Sequence, residues 1–214
     1  MVGGGQGAFI GAVHRMAARL DGHWEIVAGA LASTPERAQA SGEELGLAAE
    51  RIYPDFATMA AAEATRHDGI DAVSIVTPNH VHFPAAKAFL EAAIPVICDK
   101  PLTSNGEDAA ALAAVVARTG TPFVLTHNYT GYPMIRQARA MVEAGDLGAL
   151  RLVHAEYIQD WLSEDLETEG VKQAAWRTDP KQSGAGGAIG DIGSHAFNLV
   201  AFTTQARVER LSAQ

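Results

Sequence analysis

The feature that most constrains the fold is an alternation of short apolar runs with helix-like segments through the first 126 residues. Continuous apolar runs are typical of strands that are buried on both faces of a parallel sheet. We predict strands of this kind at residues 24–31, 52–53, 71–76, 94–98 and 123–125. Because helical segments and short connections separate them, the sequence predicts an α/β fold with a doubly wound parallel sheet.

Two of the intervening helices carry a recognisable start signal. Ser33 with Glu36, and Ser104 with Glu107, each have the three-residue spacing of a capping box. In this motif the two side chains bond to backbone N–H groups that the first helical turn leaves free. The pattern therefore predicts that the helices begin at these two serines.

The chain opens on a glycine-rich segment, Gly3-Gly4-Gly5-Gln6-Gly7-Ala8. Its spacing fits the G-x-G-x-x-A form of the dinucleotide fingerprint, in which the backbone at a helix start approaches a pyrophosphate. The next helix is predicted to bury one apolar face, made of Phe9, Ile10, Val13, Met16, Ala17 and Leu20. The fingerprint normally follows a full strand, and only two residues precede it here, so a flexible N-terminal tail is the alternative.

The end of the second predicted strand bears on the choice of dinucleotide. An acidic residue at this place often holds the ribose hydroxyls of NAD, and the segment 31–34 contains none. Ser33 lies in this segment, and Arg37 follows one turn later. The pattern favours the 2′-phosphate of NADP over NAD, while an ordinary surface arginine is the alternative interpretation.

Composition and charge restrict the class of protein. The chain has 214 residues, of which 48% are hydrophobic and 19% charged, as in a soluble globular protein. Its net charge of −9 argues against a nucleic-acid or anionic-membrane surface. The single cysteine, Cys98, excludes an internal disulfide, and no apolar run is long enough to span a bilayer. We therefore expect a cytoplasmic protein.

A lysine follows the predicted strand 94–98 in the sequence Asp99-Lys100-Pro101. Pro101 lacks a backbone N–H group, so the strand is not expected to continue past Lys100. Open α/β sheets bind their ligands at the carboxyl ends of their strands. Lys100 is thus a candidate site residue, and a surface lysine before a turn is the alternative.

The strand 71–76 ends in a similar way, on Thr77-Pro78-Asn79-His80. These residues are predicted to lie at the same edge of the sheet as Lys100. The following helix is predicted at about 83–93, which leaves His80 and His82 in a loop near the cofactor crevice.

The pattern changes after residue 126. A helix is predicted at about 132–143 and an antiparallel, half-buried strand at 151–159, with Val153, Ala155 and Tyr157 on one side. A strand-like run also covers 206–213. We therefore predict that a dinucleotide-binding domain, 1–126, is followed by the beginning of an α+β, mainly antiparallel domain, 127–214.

Asp191 and His195 follow a second glycine-rich segment and are four residues apart. If residues 189–202 form a helix, both side chains lie on one face. A carboxylate beside an imidazole can orient a general base. A weak surface ion pair is one alternative, and a metal site completed by His127, His154 or Glu156 is another, although none of these has a recognised ligand spacing.

These motifs, in this order and approximate spacing, resemble those of the glucose-fructose oxidoreductase/inositol dehydrogenase/MocA (Gfo/Idh/MocA) family. The resemblance covers essentially the whole chain. It implies a Rossmann domain, a mostly antiparallel second domain, and hydride transfer between NAD(P) and a sugar, inositol or related polyol. It also implies that the full-length protein is a homo-oligomer.

The resemblance further implies roles for individual residues. Lys100 resembles the active-site lysine, His195 the general acid/base, and Asp191 the carboxylate that contacts substrate and supports the histidine. The residues expected to contact the cofactor are Gly3, Gly5, Gln6, Gly7, Ala8, Ser33, Arg37, Thr77, Pro78, Asn79, His80 and Lys100. No metal is expected.

The chain departs from the family pattern at both ends. Most of the first strand is missing before Gly3, and the second domain stops early. We therefore expect a fragment that alone binds cofactor weakly and shows little turnover. A noncatalytic dinucleotide-binding or regulatory protein of the same fold is the alternative function, but such a protein needs no set of Lys100, Asp191 and His195.

Overall fold

A parallel sheet forms the centre of the first part of the chain. The computed structural model describes residues 1–212, without the side chain of Lys172. The strands, in their order across the sheet, are β1 (Val2–Gly3), β2 (Val73–Val76), β3 (Val96–Asp99) and β4 (Phe123–Thr126). Isolated parallel bridges join Val2 to Ala30 and Gly29 to Ile52 on the other side of β1. The direction of winding therefore reverses at β1, which confirms the doubly wound α/β prediction.

Helices cover both the sheet and the later part of the chain. They are α1 (Phe9–Leu20), α2 (Pro35–Glu44), α3 (Phe56–Glu63), α4 (Asn79–Glu91), α5 (Gly106–Thr119), α6 (Pro133–Ala144), α7 (Lys172–Arg177), α8 (Pro180–Ser183) and α9 (Ser194–Thr204). Short 3-10 helices occur at Ala49–Arg51 and Asn128–Gly131, and a π-helical turn at Ile189–Gly193 precedes α9. None of the helices within residues 1–212 is long and apolar enough to cross a membrane.

The sheet and its helices share one apolar core. β2 and β3 contribute side chains that are at most 1% exposed, as do α3, α4 and α5. The largest of these buried side chains are Met59, Ile75, Phe89, Leu90 and Leu112. Cys98 belongs to the same cluster, and burial raises the pKa of its thiol. The cysteine is thus a core residue in this structure.

The capping predictions are wrong by one residue at both helices. Thr34, not Ser33, caps α2: its Oγ1 accepts from the backbone N–H of Arg37 at 3.5 Å. Asn105, not Ser104, caps α5 and accepts from the backbone N–H of Asp108 at 2.8 Å. Each cap is itself a favourable capping residue that directly follows the serine, so the sequence pattern alone did not separate the two positions.

α4 begins at Asn79, four residues earlier than predicted, and contains Pro84. His80 and His82 are therefore helical and not in a loop. His80 is exposed, whereas the side chain of His82 is fully buried. Pro84 lies in the second turn of this helix.

The predicted burial of the apolar face of α1 is also wrong. Phe9 is 67% exposed, Met16 71% and Leu20 81%. The only buried residue of α1 is Gly11, where an added Cβ would lie 2.4 Å from the Cα of Gly4. A close approach of two glycine backbones thus fixes the start of this helix, and the fingerprint position Ala8 is merely its N-cap.

Replacement of Gly11 by alanine is expected to destabilise the fold by about 1–3 kcal/mol, because the methyl group would overlap backbone that has little room to move. Denaturant unfolding measures the difference. Gly106→Ala is the matched control, since an added Cβ at this helical glycine meets nothing within 4 Å. Equal stability of the G11A variant and the unchanged protein would contradict the proposed contact.

Four predicted strands are reduced or absent. The segment 52–53 forms only an isolated bridge at Ile52. The segment 24–31 forms only the two bridges at Gly29 and Ala30. Residues 151–159 and 206–212 form no strand, and residue 213 lies outside the described residues. A strand needs a second backbone beside it to satisfy its hydrogen bonds, and no such partner lies beside 151–159 in the part of the chain that the structure describes. The described part beyond residue 126 is thus helical, with α6 packed against α9, and the expected antiparallel sheet is not formed.

A buried ion pair lies at the edge of the apolar core. The carboxylate of Glu63 is fully buried and accepts hydrogen bonds from Arg51 Nε at 3.2 Å and Tyr53 Oη at 2.7 Å. It also accepts from the backbone N–H of Ile70 at 3.2 Å. The side chain of Arg51 is 10% exposed. Several donors thus compensate the burial of this charge.

Candidate active site

Lys100 and Asp191 form an ion pair between distant parts of the chain. Lys100 follows β3, and its Nζ donates to Asp191 Oδ1 at 2.6 Å and to the Asp191 carbonyl oxygen at 2.7 Å. Asp191 lies in the π-helical turn before α9. The side chains are 15% and 23% exposed. The end of the central strand β3 and the start of α9 therefore meet at this pair.

The second carboxylate oxygen of Asp191 is also engaged. Arg177 Nε donates to Asp191 Oδ2 at 3.2 Å. The guanidinium lies 4.2 Å from the ring centroid of Trp176 and 5.5 Å from that of Trp161, so it is held between two aromatic rings. Burial alone would raise the pKa of Asp191, but Lys100 and then Arg177 outweigh it, and the pKa falls below its usual range. Asp191 is therefore an anion with two cationic partners.

His195 lies one helical turn from Asp191, as predicted, but is not bonded to it. The imidazole is 6% exposed, and neither ring nitrogen has a hydrogen-bond partner among the side chains that the structure describes. Burial, and then the charges of Lys100 and His127, lower the pKa of His195 to about 4. The expected hydrogen bond from the imidazole to the carboxylate is thus absent, because both oxygens of Asp191 accept from cations.

Aromatic rings surround His195 instead. The ring centroid of Tyr129 is 4.7 Å away, that of His127 6.0 Å and that of Tyr157 6.2 Å. The hydroxyls of Tyr129 and Tyr157 are 2.5 Å apart. This hydrogen bond, and then burial, raise the pKa of Tyr129 to about 12.

Sequence reasoning missed Arg177, Tyr129 and Tyr157, and considered His127 only as a metal ligand. The sequence did contain a signal for His127 and Tyr129. Both closely follow β4 and so lie at the same sheet edge as Lys100. Burial, and then Lys100, lower the pKa of His127, and its Nδ1 is a buried polar atom that has no hydrogen-bond partner among the residues the structure describes.

The glycine-rich loop is tightly enclosed by backbone. Gly3 has φ of 75°, and a Cβ there would lie 2.8 Å from the carbonyl oxygen of Val76. A Cβ on Gly5 would lie 2.5 Å from Ser41 Oγ. Gln6 is tied to α2, since its side-chain amide donates to Glu44 at 2.7 Å. Only glycine fits at these two positions, as expected for a loop that a ligand approaches closely.

The loop after β2 lies against the loop of Lys100. The imidazole of His82 bridges them, with Nε2 3.0 Å from the carbonyl oxygen of Thr77 and Nδ1 2.7 Å from that of Pro101. Burial lowers the pKa of His82. Thr77 Oγ1 is buried and has no hydrogen-bond partner within the described residues, which fits a polar ligand at this place. Asn79 donates to the Ser183 carbonyl at 2.7 Å.

Two cavities adjoin the ion pair. The larger, of about 1280 Å³, is lined by Lys100, Asp191 and His195 and extends below α1 along the face of the sheet. The smaller, of about 380 Å³, is lined by Asn79 and shares Asp191 with the larger. The predicted cofactor residues that line neither cavity are Gly3, Gly5, Gln6, Gly7, Ala8, Ser33, Arg37, Thr77, Pro78 and His80. Of these, Ser33 and Arg37 are exposed at the start of α2.

The residues considered for a metal site do not form one. Within the described residues, no group of three or more histidine, cysteine, aspartate or glutamate side chains could hold a metal ion. His154 Nε2 lies 3.0 Å from Glu156 Oε1, and both side chains are largely exposed.

Comparison with known sequences identifies the family. Residues 1–127 match the oxidoreductase family with an NAD-binding Rossmann fold, and residues 135–214 match the GFO/IDH/MocA C-terminal domain. The chain belongs to the Gfo/Idh/MocA family. An uncharacterized oxidoreductase, YfiI, of Bacillus subtilis is 39% identical over 93% of this chain and 51% of its own length. The chain thus spans about half the length of the curated relatives it matches.

Two solved structures of this family are similar over most of the chain. An oxidoreductase from Sinorhizobium meliloti is 56% identical, with a TM-score of 0.85, over 98% of this chain and 52% of its own. An inositol dehydrogenase homolog from Azotobacter vinelandii, in complex with NADH and myo-inositol, is 38% identical, with a TM-score of 0.87, over 96% of this chain and 52% of its own.

Proposed function

We propose that the protein is an NAD(P)-dependent oxidoreductase that transfers a hydride between a nicotinamide cofactor and a cyclic polyol or sugar. The observation that carries this proposal is the Lys100–Asp191 pair beside a buried, uncharged His195 in one large cavity. The family supports it, as do relatives named levoglucosan dehydrogenase, inositol 2-dehydrogenase and D-xylose 1-dehydrogenase, which are 28–30% identical to this chain.

The three residues have complementary roles in this proposal. Oxidation of an alcohol breaks a C–H bond, whose electron pair leaves as hydride, and an O–H bond, whose proton needs an acceptor. His195 is neutral near pH 7 because its pKa is about 4, so a ring nitrogen can accept this proton. The ammonium of Lys100 stabilises the negative charge that develops on the alcohol oxygen. Asp191 holds the ammonium in place.

The cofactor, when bound, supplies the hydride acceptor. We propose that the backbone of Gly3, Gly5 and Gly7 approaches its pyrophosphate near the start of α1, and that the Thr77–His80 segment lines the adjoining crevice. The close backbone contacts at Gly3 and the unpartnered Thr77 Oγ1 support this placement. Ser33 and Arg37 would contact the adenosine ribose. An arginine at this place favours the 2′-phosphate of NADP.

Several further features of the full-length protein belong to this proposal. The small molecule that binds is a sugar or polyol substrate. The net charge of −9 disfavours the binding of nucleic acid. We also propose the division into domains at residues 126 and 127, and a homo-oligomeric full-length protein.

The proposal is tested by incubating the full-length protein with NAD or NADP and, separately, myo-inositol, levoglucosan or D-xylose. We expect at least one alcohol to reduce the cofactor, and deuterium on its reacting carbon to slow the reaction. Tryptophan fluorescence measures cofactor binding in the same samples. If the protein binds the cofactor but neither oxidises any of these alcohols nor reduces any matching ketone, the result would instead support the noncatalytic dinucleotide-binding alternative.

A further inference from the structure

The imidazole of His195 is held by rings rather than by a carboxylate. The ring of Tyr129 meets it edge-on, with an interplanar angle of 63°, and that of His127 does so at 86°. Such edge-to-face pairs are favourable and have a defined geometry. Because both oxygens of Asp191 face Lys100 and Arg177, the rings are the described groups that set the plane of this imidazole.

Tyr129 is itself fixed by a chain of side-chain contacts. Its hydroxyl is hydrogen-bonded to that of Tyr157, which also accepts from Gln159 Nε2 at 3.2 Å. Gln159 Oε1 in turn accepts from Trp161 Nε1 at 3.3 Å. On its other side, the ring of Tyr132 lies edge-on at 5.6 Å. Tyr129 therefore has one defined position, although it lies outside the regular helices α1–α9.

We propose that Tyr129 is the positioning residue for His195: its ring fixes the plane of the imidazole and excludes water from one side of it. This inference rests on the proposed function only where it concerns turnover. The position and titration of the imidazole follow from the contacts themselves. Tyr157 acts one step further away, since its hydroxyl holds that of Tyr129.

The charged groups around His195 determine how its pKa should change when the ring of Tyr129 is removed. Lys100 and His127 disfavour the imidazolium, whereas Asp191 and Asp99 favour it. Replacement of Tyr129 leaves all four groups in the chain and changes mainly the access of water. Since burial is the largest cause of the lowered pKa, the imidazole should titrate closer to its usual range when the ring is removed.

The test compares Tyr129→Leu with Tyr129→Phe. We follow the titration of His195 by NMR, with the signal assigned by its loss in His195→Asn, and measure kcat, KM and the pH profile of kcat/KM. In Y129L we expect the pKa of His195 from the NMR titration to rise by about one pH unit, and the acidic limb of the kcat/KM profile to move to higher pH by the same amount. We also expect kcat to fall about tenfold, with a smaller change in KM, because the base is misplaced. Y129F keeps the ring but loses the hydrogen bond to the Tyr157 hydroxyl, so its titration should rise by less than that of Y129L.

Phe197→Leu is the matched control, because it removes a ring that is 62% exposed on the same helix as His195. It should leave the titration and kcat unchanged. If Y129L does not fold, Tyr157→Phe should shift the titration in the same direction by less.

An unshifted titration in folded Y129L, or an equal shift in the F197L control, would overturn the inference. Absence of turnover in the unchanged protein would refute the proposed function, while the NMR titration would still decide the role of Tyr129.

Discussion

Lys100→Met is expected to lower kcat by about 10²–10³-fold, the usual effect of losing one group that stabilises a developing oxyanion. The substitution removes the ammonium that lies 2.6 Å from Asp191 and leaves a side chain of similar length. Steady-state kinetics with the best alcohol of the screen measure kcat. Cofactor binding, measured by fluorescence titration, should remain largely in place, because the glycine-rich loop and the Thr77 loop are unchanged.

Lys87→Met is the matched control for this experiment. It also removes one lysine charge, but from an exposed pair with Glu91 on α4, and Lys87 lines neither of the two cavities. We expect its kcat to equal that of the unchanged protein. Full activity of K100M, or an equal loss in K87M, would show that Lys100 has no special role in the reaction.

Glu63→Gln is expected to reduce the free energy of unfolding by about 3–5 kcal/mol, because the guanidinium of Arg51 loses its buried charged partner and keeps only the partly exposed Asp68, at 3.6 Å. The carboxylate is also the acceptor for Tyr53 and for the backbone of Ile70, so the change disturbs several hydrogen bonds at once. Denaturant unfolding monitored by circular dichroism gives the difference.

Glu91→Gln provides the comparison for E63Q. Like Glu63, Glu91 forms ion pairs. Its partners are Lys87 and Arg118, and they lie at the surface, where solvent screens the interaction. Its substitution should change stability far less. If the two variants unfold at the same denaturant concentration, burial does not increase the contribution of the Arg51–Glu63 pair to the free energy of unfolding.

The sequence was most informative where strands end on polar residues. The strand before Lys100 was predicted from its apolar run, and the structure confirms it. The helix that would place Asp191 and His195 on one face was only considered, and the structure forms it as a π-helical turn followed by α9. Helix starts were less accurate, because neighbouring residues such as Ser33 and Thr34 are both good caps and tertiary position selects between them.

The partners of the site residues could not be predicted from spacing. Asp191 was assigned to His195 because the two are four residues apart, but Lys100, 91 residues away, and Arg177 take its oxygens. Charge attraction across the fold outweighs local proximity here. The missing strand at 151–159 has a similar cause, since an alternating pattern describes one strand and says nothing of its neighbour.

The ammonium of Lys100 has three N–H donors, and two of them point to oxygens of Asp191. In the part of the chain that the structure describes, one donor is then left for the cavity, with a direction fixed by the other two. A ring that carries hydroxyls on both faces can meet a single fixed donor in few orientations. We therefore expect the stereochemistry of the reaction to follow from the geometry of this one lysine.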